Sequence, residues 1–151
     1  MKVELRKITS DNYDECTMLS TTREQREMGL TLSVKDALSE AQRLPRVARP
    51  FAIYLENRLI GFTMFAFDES IPDPCDRYWL WQFMIDHRYQ GKGYGNLVLP
   101  TILNYFRMHG IPEITLSTKP ENAAALHLYY KFGFRKNGKK NGEEVILKLR
   151  L

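Results

Sequence analysis

The chain has 151 residues, a length that suits one domain, residues 1–151, with a sizeable hydrophobic core. Apolar residues make up 44% of it and charged residues 26%, as in ordinary globular proteins, and no apolar stretch is long enough to span a membrane. The formal net charge is +4, but Lys and Arg are scattered apart from one cluster at 135–140, so we predict no nucleic-acid partner.

The first part of the chain predicts a strand and two helices. Apolar and polar residues alternate enough over residues 3–8 to predict a strand. Asp11 can cap a helix that would extend to Leu19. Ser33 begins a capping-box-like sequence, and apolar residues then follow helical spacing until Pro45 ends the helix.

The middle of the chain predicts a hairpin, a loop and a further strand. Apolar runs at 51–56 and 59–67 flank the polar pair Asn57-Arg58, which is typical of a β-hairpin. Residues 68–77 contain two prolines and predict a loop. Residues 78–85 are rich in aromatic side chains and too short for most helices, so they predict a strand.

Three glycines alternate directly after this strand and directly before a helical apolar pattern: Gly91, Gly93 and Gly95. Glycine lets a ligand come close to the backbone. The first N–H groups of a helix have no internal partners, and the helix dipole favours negative charge there. The segment therefore predicts a pyrophosphate-binding loop, with Lys92 as an added positive charge.

The spacing of these glycines excludes two better-known phosphate-binding loops. A P-loop needs Ser or Thr after its Lys, and neither follows Lys92. A dinucleotide-binding fingerprint needs Gly-x-Gly-x-x-Gly near the start of a βαβ unit, whereas these glycines lie late in the chain. On these residues alone, the alternative that the segment is a Gly-rich turn which begins a helix and binds no ligand stays open.

The last part of the chain predicts a helix to about Met108, a strand at 113–117, a helix at 122–131 and a final hairpin at 134–149. Pro100 lies past the first turn of the earlier helix, so we expect it to kink that helix. The element order predicts an α/β (α+β) fold with a central, mostly antiparallel mixed sheet. We expect about seven strands, flanked by about four helices.

Two segments carry a resemblance to a known family. Gln90, Gly93 and Gly95 fit Gln/Arg-x-x-Gly-x-Gly/Ala, which resembles motif A of the GCN5-related N-acetyltransferase (GNAT) superfamily. Asn122 to Phe134 resembles that superfamily's later motif, Asn-x-x-Ala-x-x-Leu-Tyr-x-x-x-Gly-Phe, at the expected distance downstream. The resemblance implies the GNAT fold, with a splayed strand pair before the Gly-rich loop, and acetyl-coenzyme A (acetyl-CoA) as cosubstrate.

The resemblance extends to a class of acceptor. Residues 83–93 and 141–145 are similar to bacterial spermine/spermidine acetyltransferases, which implies direct acetyl transfer to a small amine such as a polyamine. An aminoglycoside, another amine metabolite or a protein amine is an alternative acceptor. A non-catalytic acyl-CoA-binding sensor or scaffold is the alternative function. Superfamily members often pair edge strands, so a homodimer is a further expectation.

The resemblance also implies site residues. Twelve positions are expected to bind the coenzyme: Phe83, Met84, Ile85, Gln90, Gly91, Lys92, Gly93, Tyr94, Gly95, Asn122, Tyr129 and Lys131. Tyr129 is the expected general acid, because a phenol and a thiol have similar pKa values. Its alternative role is packing, since it shares a helix face with Phe132.

The acceptor side is less defined by the sequence. Four residues are candidate acceptor contacts: Glu24, Glu27, Gln82 and Glu121. The three glutamates among them, together with Asp86, are candidate bases by residue type only. Gln82 is not a candidate, because its amide cannot act as a base. The loop at 68–77 adds four carboxylates, among them Asp68, whose positions the sequence leaves open.

The remaining reactive side chains point to no further chemistry. Cys16 and Cys75 lie in unrelated contexts outside both motifs, which disfavours a thiol intermediate. The three histidines lack ligand spacing, so we predict no metal. The first residues fit no signal-peptide pattern, and we expect a cytoplasmic protein without a membrane partner.

Overall fold

The computed structural model describes residues 1–151 as seven strands and five α-helices around one sheet. In chain order these are β1 (Val3–Lys7), α1 (Tyr13–Thr17), α2 (Arg23–Glu27), α3 (Val34–Arg43), β2 (Ala48–Leu55), β3 (Arg58–Phe67), β4 (Tyr78–Ile85), α4 (Tyr94–Met108), β5 (Glu113–Thr118), α5 (Ala123–Lys131), β6 (Arg135–Asn141) and β7 (Glu144–Arg150). Short 3-10 turns lie at Pro74–Asp76 and His87–Tyr89. The predicted fold class is confirmed, with one helix more than the expected four.

The sheet has the strand order β1-β2-β3-β4-β5-β7-β6, and every neighbouring pair except β4–β5 is antiparallel. The parallel pair β4–β5 is joined only at Trp79 and Thr115. Beyond that point the two strands diverge, which confirms the predicted splayed pair. On its other side β4 has a register shift against β3, where Met64 faces Gln82 and Phe65 faces Leu80. A β-bulge therefore leaves Trp81 without a partner.

Helices cover both faces of the sheet. On one face α4 buries Leu99, Ile102 and Phe106 completely, and the Phe106 ring packs at a tilt against Phe65 of β3, with the ring centroids 4.7 Å apart. On the other face α1 and α3 bury a second cluster that includes Cys16 and the small residue Ala37. Fully burying a Leu, Ile or Phe side chain contributes about 1.5–3 kcal/mol. The two clusters fix the sheet between helices and leave the β4–β5 divergence as its opening.

The predicted helix starts were partly correct. Ser33 caps α3, because its Oγ accepts a hydrogen bond from the Asp36 N–H at 3.1 Å. The expected cap at Asp11 was wrong, since α1 begins after Asn12 and ends at Thr17, before Leu19. Asn12 closes the turn instead, with its Oδ1 accepting from the Thr9 N–H at 2.8 Å.

The predicted β2–β3 hairpin is present, but its turn lies one residue earlier than expected. Glu56 and Asn57 both have positive φ, 48° and 65°, and β3 begins at Arg58. A two-residue hairpin turn of this kind needs positive φ at both central positions, and Asn tolerates that conformation best among residues with a side chain.

Pro100 does not end α4. The helix runs unbroken from Tyr94 to Met108 with Pro100 inside it. Proline removes the backbone bond to the carbonyl four residues earlier, at Asn96. Pro100 and Asn96 are both exposed, so water can bind that carbonyl. A kink at Pro100 stays a prediction.

Candidate active site

The divergence of β4 from β5 opens a groove that consists of two connected cavities. The smaller, called here the loop cavity, has a volume of about 230 Å³ and lies along the Gly-rich loop. The larger, called here the wide cavity, has a volume of about 510 Å³ and lies towards the C-terminal hairpin. Six residues line both cavities: Leu30, Thr31, Phe83, Asn122, Ala125 and Tyr129. The groove is therefore continuous, and Tyr129 lies where its two parts meet.

The loop cavity brings together ten of the twelve predicted coenzyme-binding residues: Phe83, Met84, Ile85, Gln90, Gly91, Gly93, Tyr94, Gly95, Asn122 and Tyr129. The other two lie outside its lining. Lys92 is exposed, and Lys131 donates a hydrogen bond from Nζ to Asn96 Oδ1 at 2.7 Å. The coenzyme contacts of all twelve stay predictions.

The glycines of the loop serve different purposes. Gly91 and Gly93 have φ of 74° and 79°, and Gly93 is the N-cap residue of α4. A side chain at either position would strain the backbone. At Gly95 a Cβ would lie 3.0 Å from Leu128 Cδ2, so this glycine allows α5 to approach α4. Together they place the unpaired N–H groups of the first turn of α4 at the loop cavity.

Tyr129 combines a buried ring with an open hydroxyl. The residue is 8% exposed and its ring packs edge-on against Phe134 at 5.5 Å. The hydroxyl has no hydrogen-bond partner within the chain, while every fully enclosed side-chain polar atom has one, so the hydroxyl faces the groove. Burial raises the pKa of Tyr129 well above its ordinary value. The phenol therefore stays protonated, but it is a weaker acid than the ordinary phenol that the sequence comparison with a thiol assumed.

Asp86, one of the candidate bases, is a structural group. It is 1% exposed and accepts hydrogen bonds from the Ser20 N–H at 2.9 Å and from Arg88 Nε at 2.7 Å. Burial raises the pKa of Asp86, but the bonds from Arg88 and Ser20 outweigh it, and the net pKa lies below the ordinary value. The carboxylate lines neither cavity and fastens residue 20 to the end of β4.

The wide cavity is mainly apolar and carries two carboxylates. Trp79 and Trp81 are part of its wall, with Asp68 and Glu144 beside them. Glu144 Oε1 accepts a hydrogen bond from Ser117 Oγ at 2.6 Å. Carboxylates and aromatic faces both attract cations, so the cavity is suited to a cationic ligand with an apolar chain.

Sequence reasoning placed Asp68 only in a charged loop and missed Glu144. The available signal was strand alternation in β7, where Val145 and Leu147 are buried and Glu144 must lie on the other face. That alternation does not tell which element faces Glu144. The groove residues contributed by the segment 20–32 were missed as well, because they lie on short, irregular elements.

The four predicted acceptor contacts are dispersed. Gln82 lines the wide cavity. Glu24, Glu27 and Glu121 are exposed and line neither cavity, and Glu27 forms an ion pair with Arg23 at 3.0 Å. Their acceptor contacts stay predictions.

The cysteines and other reactive groups lie away from the groove. Cys16 is buried, and burial raises its pKa to about 11. Cys75 is exposed, and neither cysteine lines the loop cavity or the wide cavity. No group of three or more His, Cys, Asp or Glu side chains is arranged to hold a metal ion. None of the helices has both the length and the apolar composition to cross a membrane.

Comparisons with known proteins agree with this fold. The Acetyltransferase (GNAT) family model matches residues 6–134. A spermine/spermidine N(1)-acetyltransferase of Bacillus subtilis (strain 168) is 33% identical over 98% of this chain and 99% of its own. Among solved structures, spermidine N-acetyltransferase from Vibrio cholerae, in complex with CoA and spermine, has a TM-score of 0.74 at 20% identity over 98% of this chain and 95% of that one. The aminoglycoside acetyltransferase AAC(6′)-Ib, in complex with coenzyme A, has a TM-score of 0.76 at 18% identity over 99% of this chain and 95% of that one.

Proposed function

This chain belongs to the Acetyltransferase (GNAT) family of N-acetyltransferases, and from this premise we propose that it moves the acetyl group of acetyl-CoA directly to a small cationic amine. One feature carries the proposal above all: a continuous groove with the Gly-rich loop at one end, two carboxylates at the other and Tyr129 between them. The first candidate acceptor is a polyamine such as spermine or spermidine, which the B. subtilis relative is named for.

The loop cavity is the coenzyme end of the groove in this proposal. The pyrophosphate would accept hydrogen bonds from the N–H groups of Gly91 to Gly95, where the α4 dipole adds favourable potential. The pantetheine arm would lie along the edge of β4 that β5 leaves free, at residues 83–85. A thioester at the end of that arm would then reach the middle of the groove, beside Tyr129.

The reaction needs a neutral amine, a stabilised oxyanion and a proton for the leaving thiolate. At pH 7.4 an amine with a pKa of about 10.4 costs roughly 4 kcal/mol to deprotonate. The amine nitrogen forms a bond to the carbonyl carbon, backbone N–H groups of β4 stabilise the oxyanion, and the C–S bond then breaks. Tyr129 gives its proton to the sulfur as the C–S bond breaks and regains a proton from water, while the proton lost by the amine also leaves through water. The burial that raises the pKa of Tyr129 also disfavours a free thiolate, which keeps the leaving sulfur basic enough to take that proton. Direct transfer is favoured because neither cysteine lines the groove.

The wide cavity suits a polyamine better than an aminoglycoside. A polyamine separates its cations by methylene segments, which fits two carboxylates among apolar walls that include Trp79 and Trp81. An aminoglycoside presents many hydroxyl groups, and each would need a polar partner when buried. The chain resembles solved structures of a spermidine acetyltransferase and of an aminoglycoside acetyltransferase. Both resemblances reflect the shared fold, so they do not distinguish between the two acceptors.

Replacing Glu144 with Gln is expected to raise the KM for spermidine about tenfold and to leave the KM for acetyl-CoA within about threefold. The reason is the loss of one charge-assisted contact to an ammonium group, while the size of the side chain is kept. Steady-state kinetics with each substrate varied in turn would measure both values. Glu143 is the matched control, because it is exposed and lines neither cavity. Equal effects of Glu143→Gln and Glu144→Gln would contradict a role for Glu144 in acceptor binding.

The pH dependence follows from the amine and from Tyr129. An acid whose pKa is raised keeps its proton to higher pH, so Tyr129 stays a donor throughout the working range. We expect kcat/KM for the amine to rise with pH as the acceptor loses its proton, without a decline below about pH 10. A pH–rate profile would check this. A declining limb near pH 8 that disappears in Tyr129→Phe would contradict the raised pKa.

Initial-rate kinetics separate direct transfer from its rivals. With both substrates varied, direct transfer through a ternary complex gives intersecting double-reciprocal lines. Parallel lines, together with an acetylated protein detected by mass spectrometry, would indicate a covalent intermediate instead. A non-catalytic acyl-CoA-binding module would bind the coenzyme and give no rate with any amine.

A further inference from the structure

One segment contributes to the walls of both cavities. The strap, defined here as residues 20–32, contains α2 and lies along the groove where the two cavities meet. Its residue Gln25 lines the loop cavity and Leu32 lines the wide cavity, while Leu30 and Thr31 line both. The position of the strap therefore sets the shape of the groove on both sides of Tyr129.

The two ends of the strap are attached to residues that directly follow β4 and β5. At the N-terminal end, the Ser20 carbonyl accepts a hydrogen bond from the His87 N–H at 2.8 Å, and Asp86 accepts from the Ser20 N–H. At the C-terminal end, Lys119 Nζ donates to the Met28 carbonyl at 2.9 Å. None of these contacts involves the Gly-rich loop.

The middle of the strap is attached to the start of the Gly-rich loop by a reciprocal pair of amides. Gln25 Nε2 donates to Gln90 Oε1 at 3.1 Å, and Gln90 Nε2 donates to Gln25 Oε1 at 2.9 Å. Gln90 Nε2 also donates to the Ile85 carbonyl at 2.9 Å. That third bond fixes the orientation of the Gln90 amide, because only its NH2 group can donate. Gln90 Oε1 then needs a donor, and Gln25 supplies it.

We propose that Gln25 is a positioning residue which couples the two cavities through Gln90. A ligand that orders the Gly-rich loop also orders Gln90, and Gln90 then holds the strap in place through Gln25. Because Leu30 and Leu32 belong to the strap, their positions in the wall of the wide cavity are fixed as well. This inference rests on the proposed function, in which coenzyme A occupies the loop cavity. By linkage, acceptor and coenzyme then strengthen each other's binding by the same factor.

Gln25 has a second role, and the chain offers variants that separate the two. Its Oε1 accepts from the Thr22 N–H at 3.1 Å, and Thr22 Oγ1 accepts from the Gln25 N–H at 3.1 Å, which forms a capping box for α2. Gln25→Met keeps the size of the side chain and removes both the amide pair with Gln90 and the Gln25 half of the capping box, without adding a charge beside the loop cavity. Thr22→Ala removes the other half of the capping box and keeps the amide pair. The effect of Gln25→Met beyond that of Thr22→Ala therefore reports the amide pair.

Hydrogen exchange measures the coupling without an acceptor. With coenzyme A as the probe, amides of residues 20–32 should exchange more slowly in the wild type and in Thr22→Ala when the coenzyme is bound. In Gln25→Met most of that coenzyme-dependent protection should disappear, although coenzyme A still binds with a Kd within about threefold of the wild type. In steady-state kinetics Gln25→Met should raise the KM for spermidine about tenfold, the loss expected when the hydrogen bonds of the pair are removed.

Three outcomes would count against the inference in different ways. Equal coenzyme-dependent protection of the strap in wild type and Gln25→Met overturns the coupling while the proposed function stands. Equal losses in Gln25→Met and Thr22→Ala show that only the stability of α2 matters, and overturn it too. Failure of the wild type to bind coenzyme A overturns the proposed function and this inference together. Melting temperatures of both variants within a few degrees of the wild type establish that each remains folded.

Discussion

Replacing Tyr129 with Phe is expected to lower kcat by about 10²-fold or more, with the Kd for coenzyme A within about threefold of the wild type. The hydroxyl is the only group removed, and it has no partner in the chain that would be left unpaired. The ring keeps its packing against Phe134, so the stability should change little. Release of free thiol gives kcat, and calorimetric titration gives the Kd.

Tyr130 provides the matched control for this experiment. It is half-buried on the same helix, and it lines neither cavity. Tyr130→Phe should therefore leave both kcat and coenzyme affinity near the wild-type values. An unchanged kcat in Tyr129→Phe would remove Tyr129 from the role of proton donor. A loss of coenzyme affinity as large as the loss of kcat would make Tyr129 a binding residue instead.

Replacing Gly93 with Ala should weaken coenzyme A binding by about tenfold or more. Gly93 has a φ of 79°, which costs an L-residue with a side chain about 1–2 kcal/mol. Relief of that strain would rotate the N-cap peptide of α4 and move the N–H groups that are proposed to bind the pyrophosphate. Calorimetric titration with coenzyme A measures the effect directly.

The same helix supplies a control at its other end. Gly110 follows α4 with a φ of 69°, and a Cβ at either Gly93 or Gly110 would meet no atom within 4 Å. Gly110→Ala should therefore lower stability to a similar extent and leave the Kd for coenzyme A unchanged. If the two variants bind coenzyme A equally well, the Gly-rich loop is not the pyrophosphate site.

The coenzyme end of the groove could be predicted because its determinants are local. Alternating glycines at 91–95, a preceding apolar strand and a following helical pattern specify a tight turn that opens onto a helix N-terminus. The divergence of β4 from β5 came from the family resemblance, and the single pairing of Trp79 with Thr115 confirms it. Those features explain why most of the predicted coenzyme residues line one cavity.

The acceptor end could not be predicted to the same degree, because it depends on contacts between distant segments. Glu144 meets Ser117 across the β5–β7 pair, and Gln25 meets Gln90 across 65 positions of sequence. No local pattern specifies such partners. Asp86 was also out of reach of local sequence patterns. Its residue type suggested a base, whereas the fold brings Ser20 and Arg88 to donate hydrogen bonds to it and makes it a structural carboxylate.

Acetyl transfer itself is tested most directly by incubating the purified protein with acetyl-CoA and a panel of amines while recording free thiol. The panel contains spermine, spermidine, aminoglycosides, simple amines and basic peptides. We expect thiol release that depends on the added amine and is fastest with spermine or spermidine. Coenzyme binding without release for any amine would contradict the transferase function and favour a non-catalytic acyl-CoA-binding module. Failure to bind acetyl-CoA would contradict the assignment of the groove altogether.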